Sequence, residues 1–338
     1  MLSKRRRLYA GAAVATAAVA VLSGCGGGAN ASSGGSKVTL NLVAYSTPQA
    51  AYEQIIKAFQ ATPAGKNVTF TQSYGASGDQ SRAVAAGQPA DVVEFSLQPD
   101  MQRLVDANIV AKNWDQNQYK GFVTDSVVVI ATRKGNPKHI VDWPDLVKPG
   151  VEVITPNPFT SGGARWNLMA AYGGTLAEGA TPAQGEAYLG QLLKNTPVQD
   201  DSARASLQTF TGGKGDALLS YENDAIFAQQ NGQAIDYTVP KDTILIQNPV
   251  AVTSTTKHPT EAKAFVDFLY SDAAQKIFSQ NGYRPVKTAD ATMTFPQPAG
   301  LFTIDKFGGW DTVMTKYFDP DNGVVAKIEQ GLGVSTSK

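Results

Sequence analysis

From Val38 to Asn108 the chain switches regularly between two hydrophobic periods, and this alternation restricts the fold more than any other feature of the sequence. Val38 to Ala44 alternates as a strand does, with Val38, Leu40 and Leu42 on one face. Ser46-Thr47-Pro48 then opens a helix whose apolar stripe, Tyr52, Ile55, Ile56 and Phe59, falls at i, i+3, i+4 and i+7. Val68 to Gln72 reads as a strand, Tyr74-Gly75-Ala76-Ser77-Gly78 as a glycine-rich turn and Asp79 to Ala86 as a short helix. Val92 to Phe95 follows as a strand and Pro99 to Asn108 as a helix. Strands separated by helices imply a largely parallel, doubly wound α/β sheet, in which ligands sit beyond the carboxyl ends of the strands. Ser46 and Ser77 both stand there.

A second α/β unit follows. Ser126 to Thr132, Val151 to Thr155, Asp216 to Ser220 and Ile235 to Val239 have strand patterns, and Gly163 to Tyr172, Pro182 to Lys194, Arg204 to Phe210 and Glu222 to Gln230 have helical ones. Ile244 to Val252 then reads as a strand crossing back, before helices at Glu261 to Tyr270 and Asp272 to Gln280. Two crossings predict two doubly wound α/β lobes joined by a two-segment hinge. The expected division is 38–124 with 246–338 in lobe one, the placement of 286–338 staying open, and 125–245 in lobe two.

Within lobe two, Ser161-Gly162-Gly163 stands directly before a helical pattern. The first N–H groups of a helix have no intrahelical acceptor, and the macrodipole places roughly half a positive charge there. A serine followed by two glycines is either a simple helix cap or an anion socket whose bare backbone a ligand can touch.

The N-terminus addresses the chain to the outside of the cell. Lys4, Arg5, Arg6 and Arg7 precede an apolar run from 8 to 22 that is shorter than the ~20 residues of a spanning helix, so residues 1–24 read as a signal peptide. Leu22-Ser23-Gly24-Cys25 is similar to a bacterial lipobox, and Cys25 is the single cysteine, which excludes an intrachain disulfide and makes lipidation its expected fate. Residues 26–36 contain only Gly, Ala, Asn and Ser and cannot bury apolar surface, so 25–36 is expected to be a lipidated cysteine and its tether. Without the four basic residues of the leader, 25 basic side chains face 29 acidic ones, which argues against nucleic-acid binding.

Longer motifs extend the reading. Tyr74-Gly-Ala-Ser-Gly, Arg133-Lys-Gly-Asn-Pro-Lys, Lys148-Pro-Gly-Val, Thr155-Pro-Asn-Pro, Ser161-Gly-Gly-Ala-Arg-Trp-Asn, Leu301-Phe-Thr-Ile-Asp and Phe307-Gly-Gly-Trp occur in this order. Between about Val38 and Phe318 the chain resembles the sulfate-binding proteins of ABC importers. That resemblance implies a type II periplasmic-binding-protein fold closing on one sulfate, delivery to the permease membrane subunits, a monomer and no cofactor. It puts ligand contacts at Ser77, at Ser161, Gly162 and Gly163, and at the backbone of Ala203, which falls in Asp201-Ser-Ala-Arg-Ala-Ser. Two positions depart from the enteric pattern: an aspartate there is Ser46 here, and a ligand-contacting tryptophan is Tyr221. Both can donate a hydrogen bond, and the departures leave sulfate or thiosulfate open as the preferred ligand.

The chemistry of the candidates agrees with an oxyanion. Sulfate carries only acceptors, so a site of hydroxyls and N–H groups suits it, whereas a protonated phosphate needs an acceptor as well. Asp79 and Asp201 adjoin the loops, either as such acceptors or as solvated helix-start charges. Arg165 and Arg204 follow the loops as braces rather than ligands, and Trp166 and Tyr172 read as core. Molybdate and phosphate remain alternatives within the fold, and a hydrolase or an adhesin outside transport. Gly75-Ala-Ser-Gly-Asp79 lacks the last glycine of a nucleophile elbow, and two histidines with one lipidated cysteine make no zinc site.

Overall fold

The computed structural model describes residues 37–336. The signal peptide, Cys25 and the tether therefore lie outside the described residues. Among the described residues are ten strands: β1 (Val38–Tyr45), β2 (Val68–Gly75), β3 (Val92–Glu94), β4 (Phe122–Arg133), β5 (Val153–Ile154), β6 (Ala217–Tyr221), β7 (Ile235–Thr238), β8 (Asp242–Val252), β9 (Arg284–Pro285) and β10 (Gly300–Phe302). The α-helices are α1 (Gln49–Gln60), α2 (Ser77–Ala85), α3 (Gln98–Asp106), α4 (Gly162–Ala177), α5 (Pro182–Lys194), α6 (Ala203–Thr211), α7 (Glu222–Gln230), α8 (Pro259–Leu269), α9 (Asp272–Gln280), α10 (Gly309–Tyr317) and α11 (Val324–Gly331).

The strand order β2-β1-β3-β8-β4-β6-β5 joins two α/β units through β4 and β8. In the first, β1 lies parallel to β2 and to β3, as the alternation of the sequence requires. The far end of β8 adds antiparallel to β3, pairing Val250–Val252 with Val92–Glu94. The near half of β4 pairs with the middle of β8, Ser126 opposite Ile246, while its far half pairs with β6, Val128 opposite Tyr221, and with β7. One long strand thus leaves one sheet and enters the other, and a second returns. This is the two-lobed α/β architecture expected, and it puts the start of α7 directly after a strand end, at Tyr221.

Each unit has its own apolar core. Leu40, Leu42, Tyr52, Ile55, Phe59 and Val92 pack with Phe265, Leu269 and Phe278 from α8 and α9. In the second, Leu168, Met169, Tyr172, Leu189, Leu192 and Leu219 pack with Trp310, Val313 and Tyr317 from α10. On α4, Trp310 meets Trp166 edge-on at 4.6 Å between ring centroids, and Tyr317 lies 5.2 Å from Tyr172. Helix α4 is buried on all sides from Gly162 to Gly174, so it carries no polar stripe from which its length could be read.

Candidate functional site

Helix starts built by serine and glycine meet at one small cavity. Its wall is Tyr45, Ser46, Thr47, Ala76, Ser77, Ser96, Ser161, Gly163, Ala203 and Tyr221. Ser46, Ser77, Ser161, Gly163, Ala203 and Tyr221, distant in sequence, line it together. Ser77 is the first residue of α2, Ala203 the first of α6, and Gly163 the second of α4, so their N–H groups belong to first turns and lack intrahelical acceptors. No Asp, Glu, Lys, Arg or His lines the wall.

Ser161 caps α4 by accepting from the Ala164 N–H at 3.4 Å, a role that occupies a lone pair and leaves the hydroxyl hydrogen free to donate. Gly163 faces the cavity: a Cβ placed there would lie 3.3 Å from Ser161 Oγ, 3.6 Å from Tyr221 Cε1 and 3.7 Å from Ala203 Cβ. Gly162 differs from the expectation, being absent from the wall. A Cβ at Gly162 would come within 2.5 Å of Leu97 Cδ2 and 2.7 Å of Ser96 Oγ, so its bare backbone lets the α4 start press against the loop after β3.

Ser77 also needs correction. Its hydroxyl was expected to donate to the ligand, but it donates to the buried Asp100 Oδ2 at 2.7 Å and accepts from the Ser96 N–H at 2.9 Å. A hydroxyl has one hydrogen, and Asp100, which also accepts from Arg103 Nη1 at 3.0 Å, holds it. What Ser77 presents to the cavity is the helix-start N–H. Ser46 Oγ accepts from the Arg204 N–H at 3.4 Å, which leaves its hydrogen free.

Sequence reasoning missed Ser96. It lies just beyond the end of β3, the same place that singled out Ser46 after β1, and strand-end position was the available signal. Ser96 is buried, its Oγ is 2.6 Å from Tyr221 Oη, and its carbonyl accepts from Trp166 Nε1 at 2.8 Å and Asn248 Nδ2 at 3.0 Å. Trp166 is thus a core residue that also fixes a wall loop.

Both arginines brace. Arg165 Nε donates to the Pro158 carbonyl at 2.8 Å, and burial pulls its guanidinium down to about 10, still cationic at neutral pH. Arg204 pairs with the buried Asp224 at 3.3 Å, donates to the Thr47 carbonyl at 3.0 Å and lies 3.9 Å over the Phe227 ring, tying the starts of α1, α6 and α7 together. Asp79 is exposed and paired with Arg82, Asp201 is exposed, and neither lines the wall, in keeping with helix-start charges.

Behind the cavity the fully buried Glu94, on β3, accepts from Tyr52 Oη through one carboxyl oxygen while the other has no partner. Burial pushes its carboxyl up to about 8. A folded value above the ordinary 4.5 means that the native state binds the proton more tightly, so stability is full below 4.5 and falls as pH rises toward about 8. Asp125 and Glu329, both pushed up to about 7 by burial, act in the same direction. Glu94→Gln should flatten denaturant-measured stability against pH by on the order of 1.4 kcal/mol per pH unit in this window. An unchanged slope would show that Glu94 ionises normally in the native chain.

Sheet order, crossing strands and a donor-lined cavity at helix starts define a ligand-binding protein of the periplasmic-binding-protein class. Residues 40–284 match the family model for bacterial extracellular solute-binding proteins. The chain is 43% identical to the sulfate-binding protein of Synechococcus elongatus, with 97% of each chain covered. It is 34% identical to the thiosulfate-binding protein of Pseudomonas aeruginosa over 85% of this chain and 90% of that one. Among solved structures, the sulfate-binding protein SubI from Mycobacterium tuberculosis H37Rv matches with a TM-score of 0.80 at 43% identity, covering 82% of this chain and 98% of that one. The chain belongs to the family of sulfate-binding proteins.

Proposed function

We propose that this chain is an extracytoplasmic, membrane-anchored binding lipoprotein that captures sulfate in the cavity and hands it to the membrane subunits of an ABC permease. The observation that carries this is the chemistry of the wall: hydroxyls and first-turn N–H groups from several helices, with no charged side chain. A dianion there is held by helix-start partial charges without desolvating full cations, which favours both binding and release. The ligand takes hydrogens from the N–H groups of Ser77, Gly163 and Ala203 and from the hydroxyls of Ser46, Ser161 and Tyr221. Lobe one then comprises 38–124 with the stretch from 246 to 285, and lobe two 125–245 together with α10, whose Trp310 and Tyr317 pack on α4, and α11, whose Val325 and Ala326 join the same core.

Competition calorimetry with sulfate, thiosulfate, phosphate and molybdate tests this reading. Phosphate should compete poorly at pH 7, because its hydrogen meets no carboxylate on the wall. Phosphate binding as tightly as sulfate would overturn that selectivity argument. Thiosulfate binding tighter than sulfate would reassign the ligand, an outcome that the thiosulfate-binding relative keeps in view. Neither His139 nor His258 lines the cavity, so a wall serine has no imidazole there to act as a base, and the hydrolase alternative lacks support.

The anchor is a separate part of the proposal. Cys25→Ala should abolish incorporation of a labelled fatty acid and leave sulfate affinity within about twofold, since Cys25 is the single cysteine of the sequence and the cavity wall is built from other residues. Label retained by the variant would contradict lipidation at Cys25.

A further inference from the structure

Ser96 and Tyr221 carry a hydrogen too many for their own contact. Their oxygens are 2.6 Å apart, both are buried and both line the cavity, so one hydrogen lies between them and the other points elsewhere. The protein around them supplies donors rather than acceptors. Asn248 donates through its Nδ2 to the Ser96 carbonyl, and its Oδ1 accepts from Thr124 Oγ1 at 3.2 Å. The Ser96 carbonyl takes hydrogens from both Trp166 and Asn248. Ser77 Oγ accepts from the Ser96 N–H and gives its own hydrogen to Asp100. The remaining direction is the cavity.

We propose that Ser96 and Tyr221 act as one shared donor, in which either hydroxyl can turn its hydrogen to the bound oxyanion while the other donates across the pair. Ser96 is thereby a ligand-contacting residue, and the pair delivers one hydrogen bond to the anion whichever residue makes it. This rests on the oxyanion-binding reading above and adds a consequence which that reading lacks. With Tyr221 reduced to phenylalanine, Ser96 keeps a hydroxyl that loses its competing acceptor and turns to the anion. With Ser96 reduced to alanine, Tyr221 does the same. The bond disappears only when both hydroxyls go.

A double-mutant cycle in sulfate calorimetry on the detergent-solubilised full chain tests the inference, with wild type, Ser96→Ala, Tyr221→Phe and the double variant as corners. Each single variant should bind within about threefold of wild type, and the double variant about ten- to a hundredfold more weakly, the loss of one charge-assisted hydrogen bond. Losses that multiply across the cycle would overturn the shared donor, as would Tyr221→Phe alone matching the double variant. A double variant binding like wild type would remove both residues from the contact list. Thermal melts of the anion-free chains show whether each is folded. Should Ser96→Ala fail to fold, Ser96→Cys takes its corner, since a thiol of similar size donates only weakly. A wild type that binds no oxyanion sinks the functional reading and this inference together, whereas a binding wild type with an uncoupled cycle sinks the inference alone.

Discussion

Gly163→Val should abolish sulfate binding while leaving the fold in place. The new Cβ would project into the cavity at ordinary contact distances from Tyr221 and Ala203, 3.6 and 3.7 Å, with Ser161 Oγ at 3.3 Å turning aside slightly, while the two methyl groups beyond it occupy the ligand's space. An affinity loss of more than about a hundredfold is expected, together with a stability change of about 1 kcal/mol or less, because the substitution lies in the first turn of α4. Gly162→Val provides the contrast. Its Cβ would strike Leu97 and Ser96 at 2.5 and 2.7 Å, so that variant should lose stability as well as binding. Calorimetry beside thermal melts of the anion-free proteins separates the two outcomes. Wild-type affinity in Gly163→Val would place the ligand away from the α4 start.

Ser161→Ala should weaken sulfate binding by about ten- to over a hundredfold, the roughly 1.5–3 kcal/mol of a hydrogen bond to a charged group. The hydroxyl has a second task, capping α4 through Ala164, whose loss costs about 1 kcal/mol of stability in either ligand state. The two effects are read separately, affinity by titration and capping by denaturant melts without ligand. An affinity unchanged alongside a lowered stability would reduce Ser161 to a cap.

The sequence showed most of this site because its parts sit at helix and strand ends, where residue identity has a local physical cause. A serine before two glycines announces a helix start whatever surrounds it, and α5 and α9 were bounded correctly by the same local chemistry, a Thr181 capping box with Gln184 ahead of α5 and Ser271 capping α9, while α7, also bounded correctly, starts after Tyr221 without a side-chain cap. Directions of hydrogen bonds were not legible. Ser77 was expected to donate to the ligand because nothing local reveals that Asp100, 23 residues on, takes its hydrogen. Ser96 passed unnoticed for a related reason: its partner Tyr221 lies 125 residues away, and only the closed approach of two loops makes the pair. Helix α10 was overlooked although Trp310, Val313, Met314 and Tyr317 fall at i, i+3, i+4 and i+7; what the segment itself does not disclose is that this stripe is buried against α4.

The central claim is that one uncharged cavity of hydroxyls and N–H groups binds one sulfate, and a direct calorimetric titration of the folded, anion-free chain from Ser36 onward, the compact unit of the molecule, tests it. Saturation at one sulfate per chain, lost in Gly163→Val and weakened in Ser161→Ala, is the predicted result. A folded wild-type chain that takes up no sulfate, or that binds it equally well in both variants, would contradict the account.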